Sequence, residues 1–493
     1  MSEADARISD PAAPRSATEP IADIVLPHYV PGSTVALSDE ERWPGLAPHD
    51  RDRLEAVLAH PAAPVWRHRV GHRLAADGVA RARTELPADD WLPGHLAVAR
   101  ALPAYRALRG SDDAGLRELD DFPLISRRDL AADVAGFVPR DADLGRLVQG
   151  SSSGSTGAAL LLPDDTEDVA RTFWLVRRLL AGLGVDWQPD ARRLALALVV
   201  HQRQAFTYAS PIPGFAGDVV TDADAAGPHA PGAAAAGPGI MARLNLDARD
   251  WPVADRVAFL RAHDPQVISG NPSSLATLLE PDTAAAVAPL AIVSGALHLT
   301  APLRAALEAR FGVPVLDLYG LHETRPIAWR ADDGPFRVLD TRVRVEVADD
   351  AGRMLAPDAE GATPRGELVV TAGSNPLLPL VRYRTGDHGR LVLRDGAPAI
   401  ADLEGREHVD FVTADGAPIN TVDLTQYLQD AGALAWSLTQ RLDGSVLARI
   451  AGGDAPAAAR RIHALLGVPV EVDAVPRPID LGEGKPRRYL REG

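Results

Sequence analysis

Short runs of uninterrupted apolar residues constrain this chain most. Leu194-Ala195-Leu196-Ala197-Leu198-Val199-Val200 and Val315-Leu316-Asp317-Leu318-Tyr319 carry too few polar positions to be half-solvated strands, and they alternate with helix-period stretches such as Leu303 to Arg310. From about Leu144 onward the sequence therefore predicts an α/β fold with strands buried on both faces. The preceding segment, Leu37 to Leu130, has helical periodicity broken by prolines, as in Leu54-Glu55-Ala56-Val57-Leu58, and predicts a mainly helical opening. Beyond Ala362 come strand-like pieces, Gly366 to Val370 and Gly389 to Leu393, then a break at Leu403 to Arg406. The last ~90 residues alternate strand and helix in a shorter pattern, at the lower end of domain sizes.

The expected organisation is a loose tail over 1–20, a large N-terminal domain over 21–404 and a small α+β domain over 405–493. With 493 residues, more than one hydrophobic core is expected. Asp224 to Gly239, rich in Ala, Gly and Pro, predicts a surface loop, and no internal repeat is visible.

Several function classes fall away on composition. Against 67 acidic residues stand 51 basic ones, a formal charge of −16, which opposes nonspecific attraction to nucleic acid or anionic lipid. The absence of cysteine excludes disulfides, thiolate metal clusters and thiol nucleophiles. Met1 to Pro20 has neither the basic start nor the apolar centre of a secretory signal, and no apolar run reaches the roughly 18 residues of a membrane span. A cytoplasmic protein is expected.

Two features point to chemistry. Lys485 is the one lysine among 51 basic residues, set in Gly482-Glu483-Gly484-Lys485-Pro486. An ammonium is a compact point charge that enters a site too tight for a planar guanidinium, and flanking glycines give a turn able to deliver it. An exposed lysine near a terminus is the plain alternative. Residues Gly150-Ser151-Ser152-Ser153-Gly154-Ser155-Thr156-Gly157, between strand-like segments, combine small residues with clustered hydroxyls and predict a polyphosphate cradle. No Gly-Lys-Ser/Thr ending makes it a Walker loop. The Gly-x-Ser-x-Gly around Ser152 also matches a hydrolase elbow, but no Gly-rich oxyanion loop accompanies it.

Three further segments fall in order between the loop and Lys485. They are Ser294-Gly295-Ala296 with Val315 to Thr324, which includes Tyr319-Gly320-Leu321-His322-Glu323-Thr324; Tyr383-Arg384-Thr385-Gly386-Asp387; and Gly405-Arg406-Glu407-His408. Together these five resemble the motifs of the adenylate-forming superfamily, particularly its phenylacetate–CoA ligase-like branch. Ile268 to Leu275 is similar to that branch's strand-to-helix crossover.

The resemblance implies attack of a carboxylate on the α-phosphate of ATP, giving an acyl-adenylate and pyrophosphate. It assigns Ser152, Ser153, Gly154, Ser155, Thr156 and Gly157 to the phosphates. Gly295, Ala296, Asp317, Tyr319, Gly320, Asp387 and Arg406 fall to adenine and ribose, with Asp387 accepting from the ribose hydroxyls. Glu323 would hold Mg²⁺, and Lys485 would bridge carboxylate and phosphate. Arg406 would mark a hinge about which the small domain turns after adenylation, presenting Ala414-Asp415-Gly416.

The match also departs from the family. His322 stands where a threonine is usual, placing an ionisable imidazole beside the phosphates, and is counted with Lys485 among the catalytic candidates. Leu297-His298 replaces the branch's Glu-Pro, His408 replaces an acidic residue or lysine, and Gly157 is followed by Ala158 instead of Lys. His201, Phe206, Tyr208, Leu297 and Arg325 are the expected acid-pocket walls, suiting an aromatic or arylacrylic acid. Transfer to CoA, to an amine or to a carrier protein fits equally. Ligase-like relatives in secondary metabolism that activate nitrite for an aryl amine offer a diazotase alternative, and a noncatalytic nucleotide-binding protein is another. A monomer and a homodimer are both compatible.

Overall fold

The structure is a computed structural model that describes residues 37–46, 48–68, 71–84, 90–109, 115–144, 147–152, 160–188, 190, 192–201, 208–213, 215, 239–249, 251–405, 409, 411–419, 421–482 and 487–492. The 1–20 tail, the Asp224 to Gly239 loop apart from Gly239, Ser153 to Gly157, Phe206, Arg406 and Lys485 lie outside the described residues.

A thirteen-stranded sheet runs through the large lobe. Its order is Trp66–Arg67, Tyr208–Pro211, Ile240–Asn245, Leu196–Val200, Val267–Gly270, Ala291–Gly295, Val315–Leu321, Arg325–Arg330, Phe336–Val338, Ala397–Glu404, Leu380–Arg394, Gly366–Ala372 and Val343–Ala348. The five strands from Ile240–Asn245 to Val315–Leu321 are parallel, and every strand from Arg325–Arg330 onward pairs antiparallel.

Parallel strands are connected by crossover helices that cover both faces, which accounts for the unbroken apolar runs. On one face Phe259 and Leu260 of helix Val253–His263 and Leu303 and Leu307 of helix Ala301–Phe311 pack against Val199, Ile268 and Ile292. On the other, Leu180 of helix Thr166–Gly182 packs with Val267, Ala291, Val293 and Leu316. Helix Ala301–Phe311 starts where the Thr300 side chain accepts the Leu303 N–H and ends at Gly312, left-handed at φ +67°. The helical opening is present as Pro48–Leu58, Ala76–Thr84, Trp91–Ala101, Pro103–Arg109 and Arg127–Ala132. Its one strand, Trp66–Arg67, is the sheet's outermost member, and the sequence pattern gave it no signal.

The hydroxyl-rich segment begins on a separate antiparallel hairpin, Leu147–Ser152 with Leu160–Asp165. The small lobe has its own four-stranded sheet, Val470–Val475, Val446–Ala451, Ala435–Gln440 and Tyr489–Arg491, with helices Thr421–Asp430 and Ala455–Leu466. Its apolar cluster is drawn from Phe411 through Tyr489, centred on Trp436, Leu438, Ile450 and Ile462. Trp436 is fully buried and donates its indole N–H to the Tyr489 hydroxyl at 3.1 Å. Trp436→Ala is expected to cost about 3–5 kcal/mol. In urea titrations followed by far-UV circular dichroism, the loss should appear in the transition of the small lobe.

Candidate functional site

Open α/β sheets bind ligands at the carboxyl ends of their parallel strands. Here those ends are Gly295 and Leu321. Strand Ala291–Gly295 runs into Ala296, a non-glycine residue at φ +67°, a left-handed conformation that costs an L-residue roughly 1–2 kcal/mol. An added Cβ at Gly295 would meet only the Leu318 carbonyl, at 3.5 Å, so packing within the protein does not demand glycine there. Gly320 differs. A Cβ on it would stand 2.5 Å from the Arg325 carbonyl, because strands Val315–Leu321 and Arg325–Arg330 close a tight hairpin around it.

Tyr319 and Asp387 meet. The phenol donates to Asp387 Oδ2 at 2.9 Å, joining motifs 68 residues apart. Asp387 is buried, its N–H donates to Thr385 Oγ1 at 3.0 Å, and that hydroxyl donates to the Leu368 carbonyl at 2.8 Å. Gly386 takes φ +75° and donates its N–H to Glu367 Oε1 at 3.0 Å, which turns Asp387 toward Tyr319. Gly405 adjoins this point, its Cβ position being 4.0 Å from Asp387 Oδ1.

His322, Glu323 and Arg325 form the turn between the hairpin strands. Each meets an ionisable side chain that the sequence had not marked. Glu323, buried, accepts from Arg127 Nη1 at 2.8 Å. His322 Nε2 lies 3.0 Å from Asp164 Oδ2, and Arg325 reaches Asp164 Oδ1 at 2.6 Å and Asp168 Oδ2 at 3.1 Å. Of these three contacts, the one from Arg325 Nε to Asp168 is a hydrogen bond. Burial pushes the Asp168 carboxyl up, while Arg325 pulls it down. Asp164 ends the serine-rich hairpin and Asp168 opens helix Thr166–Gly182, so this cluster ties the hairpin to the strand ends. Asp164 to Asp168 reads in sequence as an acidic helix start, and Arg127 as one arginine among many. Neither carried a signal of its own.

Asp317, buried, receives Arg330 Nε at 3.0 Å and lies 3.7 Å from Arg304; burial raises its carboxyl and Arg330 opposes the rise. Among the described residues no group of three or more His, Asp or Glu could hold an ion. Glu323 offers one buried carboxylate, which suits a cation that takes its other ligands from water and phosphates.

The expected acid-pocket walls are not one cluster. Tyr208 lies four strand positions from Ala291–Gly295, about 19 Å at sheet spacing, and packs edge-on to His68 at 4.6 Å. His201, at the end of Leu196–Val200, sits among Asp247, Arg256, Glu280 and Arg477, with its pKa lowered by burial. Arg325 is engaged by its two aspartates, and Leu297 follows Ala296.

Arg325→Gln should leave Asp168, fully buried, without its closest cation and destabilise the protein by about 3–5 kcal/mol. A carboxyl raised in the folded state favours its neutral form, so the variant's deficit should narrow as pH falls toward the carboxylate range. Thermal denaturation of both proteins across that range checks the magnitude and the sign.

No protein-family model matches the chain. It is 30% identical to a phenylacetate–coenzyme A ligase of Pseudomonas putida over 163 residues, 31% of this chain and 36% of that protein. To that of Aromatoleum evansii it is 30% identical over 147 residues, 28% and 32% of the two chains. The match thus spans about a third of the length of these curated relatives. Among solved structures, 2-hydroxyisobutyryl-CoA ligase in its postadenylation state matches with a TM-score of 0.55 and 17% identity, over 84% of this chain and 92% of that one. The chain thus shares its fold over most of its length with that ligase, and over about a third of its length its sequence is similar to phenylacetate–coenzyme A ligases.

Proposed function

We propose that the protein is an AMP-forming ligase that adenylates a small carboxylic acid with ATP and Mg²⁺ and transfers the acyl group to CoA. The observation that carries this reading is the Tyr319–Asp387 hydrogen bond beside the strand ends, where a phenol ring and a carboxylate are held together by residues from separate motifs. The names of the curated relatives, an aryl acid and CoA, support the substrate classes.

In this reading the acid's carboxylate oxygen attacks the α-phosphorus, the bond to the β-phosphate oxygen breaks, and pyrophosphate leaves. Asp387 accepts from the ribose hydroxyls, since a carboxylate only accepts. Tyr319 offers its ring to the adenine, over Gly295 and Ala296. Glu323 holds the magnesium, which neutralises phosphate charge when bound. Ser152 to Gly157 cradle the phosphates, and Lys485 meets the negative charge that develops at the reacting oxygens. His322, already beside Asp164, orients near the same phosphates. In the second step the CoA sulfur attacks the acyl carbon, AMP departs, and the thiol proton passes to solvent.

A division into a large domain over 21–404 and a small one over 405–493, hinged at Arg406, accompanies this reading; the separate small-lobe core supports it. Its site needs no membrane, and among the described residues no helix is long and apolar enough to cross one. An aromatic acid remains the preferred substrate class.

The test is AMP and pyrophosphate release from ATP and Mg²⁺ with a panel of aryl and short aliphatic acids, with and without CoA. AMP formation dependent on one acid is expected, with Lys485→Ala lowering it about 10²–10³-fold while ATP binding persists. Asp387→Asn should raise the KM for ATP more than it lowers kcat. No AMP with any acid would overturn the reading, and turnover that requires nitrite and an aryl amine would replace the acid by nitrite.

A further inference from the structure

Arg127 belongs to none of the nucleotide motifs, yet it is fixed against two of them. Its segment is built onto the strand that carries Asp387: Ile125 bridges Tyr383 in parallel, donating its N–H to the Arg382 carbonyl at 3.1 Å and accepting from the Arg384 N–H at 2.7 Å. Ser126 then turns the chain into helix Arg127–Ala132, its N–H and its hydroxyl both donating to Asp129 Oδ2 at 2.7 Å. Leu130 of that helix is buried with Phe122, Ile125 and Tyr383, and Leu321, next to His322, packs against the same cluster. The backbone of Arg127 is thus held on the motif strand, close to the turn that carries Glu323.

Its side chain spans the gap. Nη1 donates to Glu323 Oε1 at 2.8 Å, across 196 residues of sequence. The carboxylate side chain is 1% exposed and the guanidinium side chain 23%, so the acid is enclosed while the base stands at the edge of the water. An enclosed carboxylate cannot be oriented by solvent, and a charge-assisted hydrogen bond from a fixed donor sets its direction. A planar fork does so with less loss of freedom than an ammonium would. The bond occupies one acceptor position of an ionised carboxylate, which has about four, so a cation can share the group with Arg127.

We propose that Arg127 is a positioning residue for the metal: it holds Glu323 in the orientation that receives the Mg²⁺–nucleotide complex. The inference rests on the adenylation reading, which makes Glu323 the metal carboxylate. Arg127 acts through Glu323. Its positive charge opposes an arriving cation, but a guanidinium in contact with water is screened, whereas the orientation of an enclosed carboxylate has no substitute. The two effects carry opposite signs in experiment: orientation predicts weaker metal-dependent binding when Arg127 is removed, and repulsion predicts tighter.

Calorimetric titration of the full chain with α,β-methylene-ATP, which lacks the bond that adenylation breaks, separates them when run in excess Mg²⁺ and again in EDTA. Arg127→Met keeps a stem and removes the donors. It should bind about tenfold or more weakly in Mg²⁺, as loss of a partner that orients a metal ligand implies, and equally well in EDTA. Arg127→Lys should recover part of the loss. In an Arg127→Met, Glu323→Gln protein the affinity in Mg²⁺ should match that of Glu323→Gln alone, because a residue that acts through another adds nothing once that other is gone. Unchanged or tighter binding in Mg²⁺, equal weakening in Mg²⁺ and in EDTA, or losses that simply add would each overturn the proposal. Should Arg127→Met fail to fold, Arg127→Gln is held to the same outcomes. A Glu323→Gln protein with undiminished Mg²⁺ dependence would overturn the proposal together with the metal assignment. AMP release is read separately, so a chain that shows the Arg127 effect but forms no AMP with any acid would overturn the adenylation reading alone.

Discussion

The buried contact of Arg325 with Asp164 and Asp168 fixes the geometry on which the candidate site depends. One guanidinium joins three elements: the hairpin strand Arg325–Arg330, the end of the serine-rich hairpin, and the first turn of helix Thr166–Gly182. Charges so far from water are held only where the opposite charge is fixed in place, and the cost of removing one partner exceeds the net benefit of the pair. Arg325 itself sits at φ +63°, a conformation an arginine takes only where its surroundings demand it. Opposite it stands Gly320, whose missing Cβ lets the Arg325 carbonyl approach. The ion pairs, the positive φ and the glycine are thus one device, which sets the turn carrying His322 and Glu323 against the base of the hydroxyl-rich hairpin.

The lobes meet through polar groups and through Leu434 of the small lobe, which packs against the large lobe's apolar cluster. Thr300 Oγ1 donates to the Leu434 carbonyl at 2.8 Å, and Glu280 lies between buried Arg256 at 3.2 Å and exposed Arg477 of the small lobe at 3.4 Å. A half-exposed pair such as the latter contributes at most about 1 kcal/mol. Each lobe nevertheless buries most of its apolar surface in a cluster of its own, so the interface is not the main source of either one's stability.

Much of the fold was legible because apolar runs have few solutions. Leu194 to Val200 and Val315 to Tyr319 could only be central strands, and Leu303 to Arg310 only a helix against them. The order of the motifs was legible for the same reason, since turns at strand ends keep glycine, alanine and tyrosine where backbone and ring must lie close. Side-chain partnership was not. That Arg127 faces Glu323, or that Arg325 turns into two aspartates instead of an open pocket, depends on rotamers and on packing between segments about 200 and 160 residues apart. The proposed acid-pocket walls illustrate the limit: proximity along Val200 to Phe215 says nothing of strand order, which sets Tyr208 four positions from the Gly295 strand.

The arginine excess acquires a structural meaning once burial is considered. Arg177 and Arg304 are buried and donate to the carbonyls of Phe215 and Val315, at 2.8 and 2.6 Å, and Arg382 reaches two carbonyls at 3.2 and 3.3 Å. A guanidinium can do this because its charge is spread over a planar fork with several donors and is weakly hydrated, whereas an ammonium must surrender a tight water shell for fewer directional bonds. Arginine thus serves here as an internal brace as well as a surface cation. In a chain that gives both tasks to guanidinium, Lys485 is the one basic residue of the other kind. The proposed adenylation gives it a task that suits a small, concentrated charge, because a carboxylate approaching a phosphate needs its repulsion offset in little space.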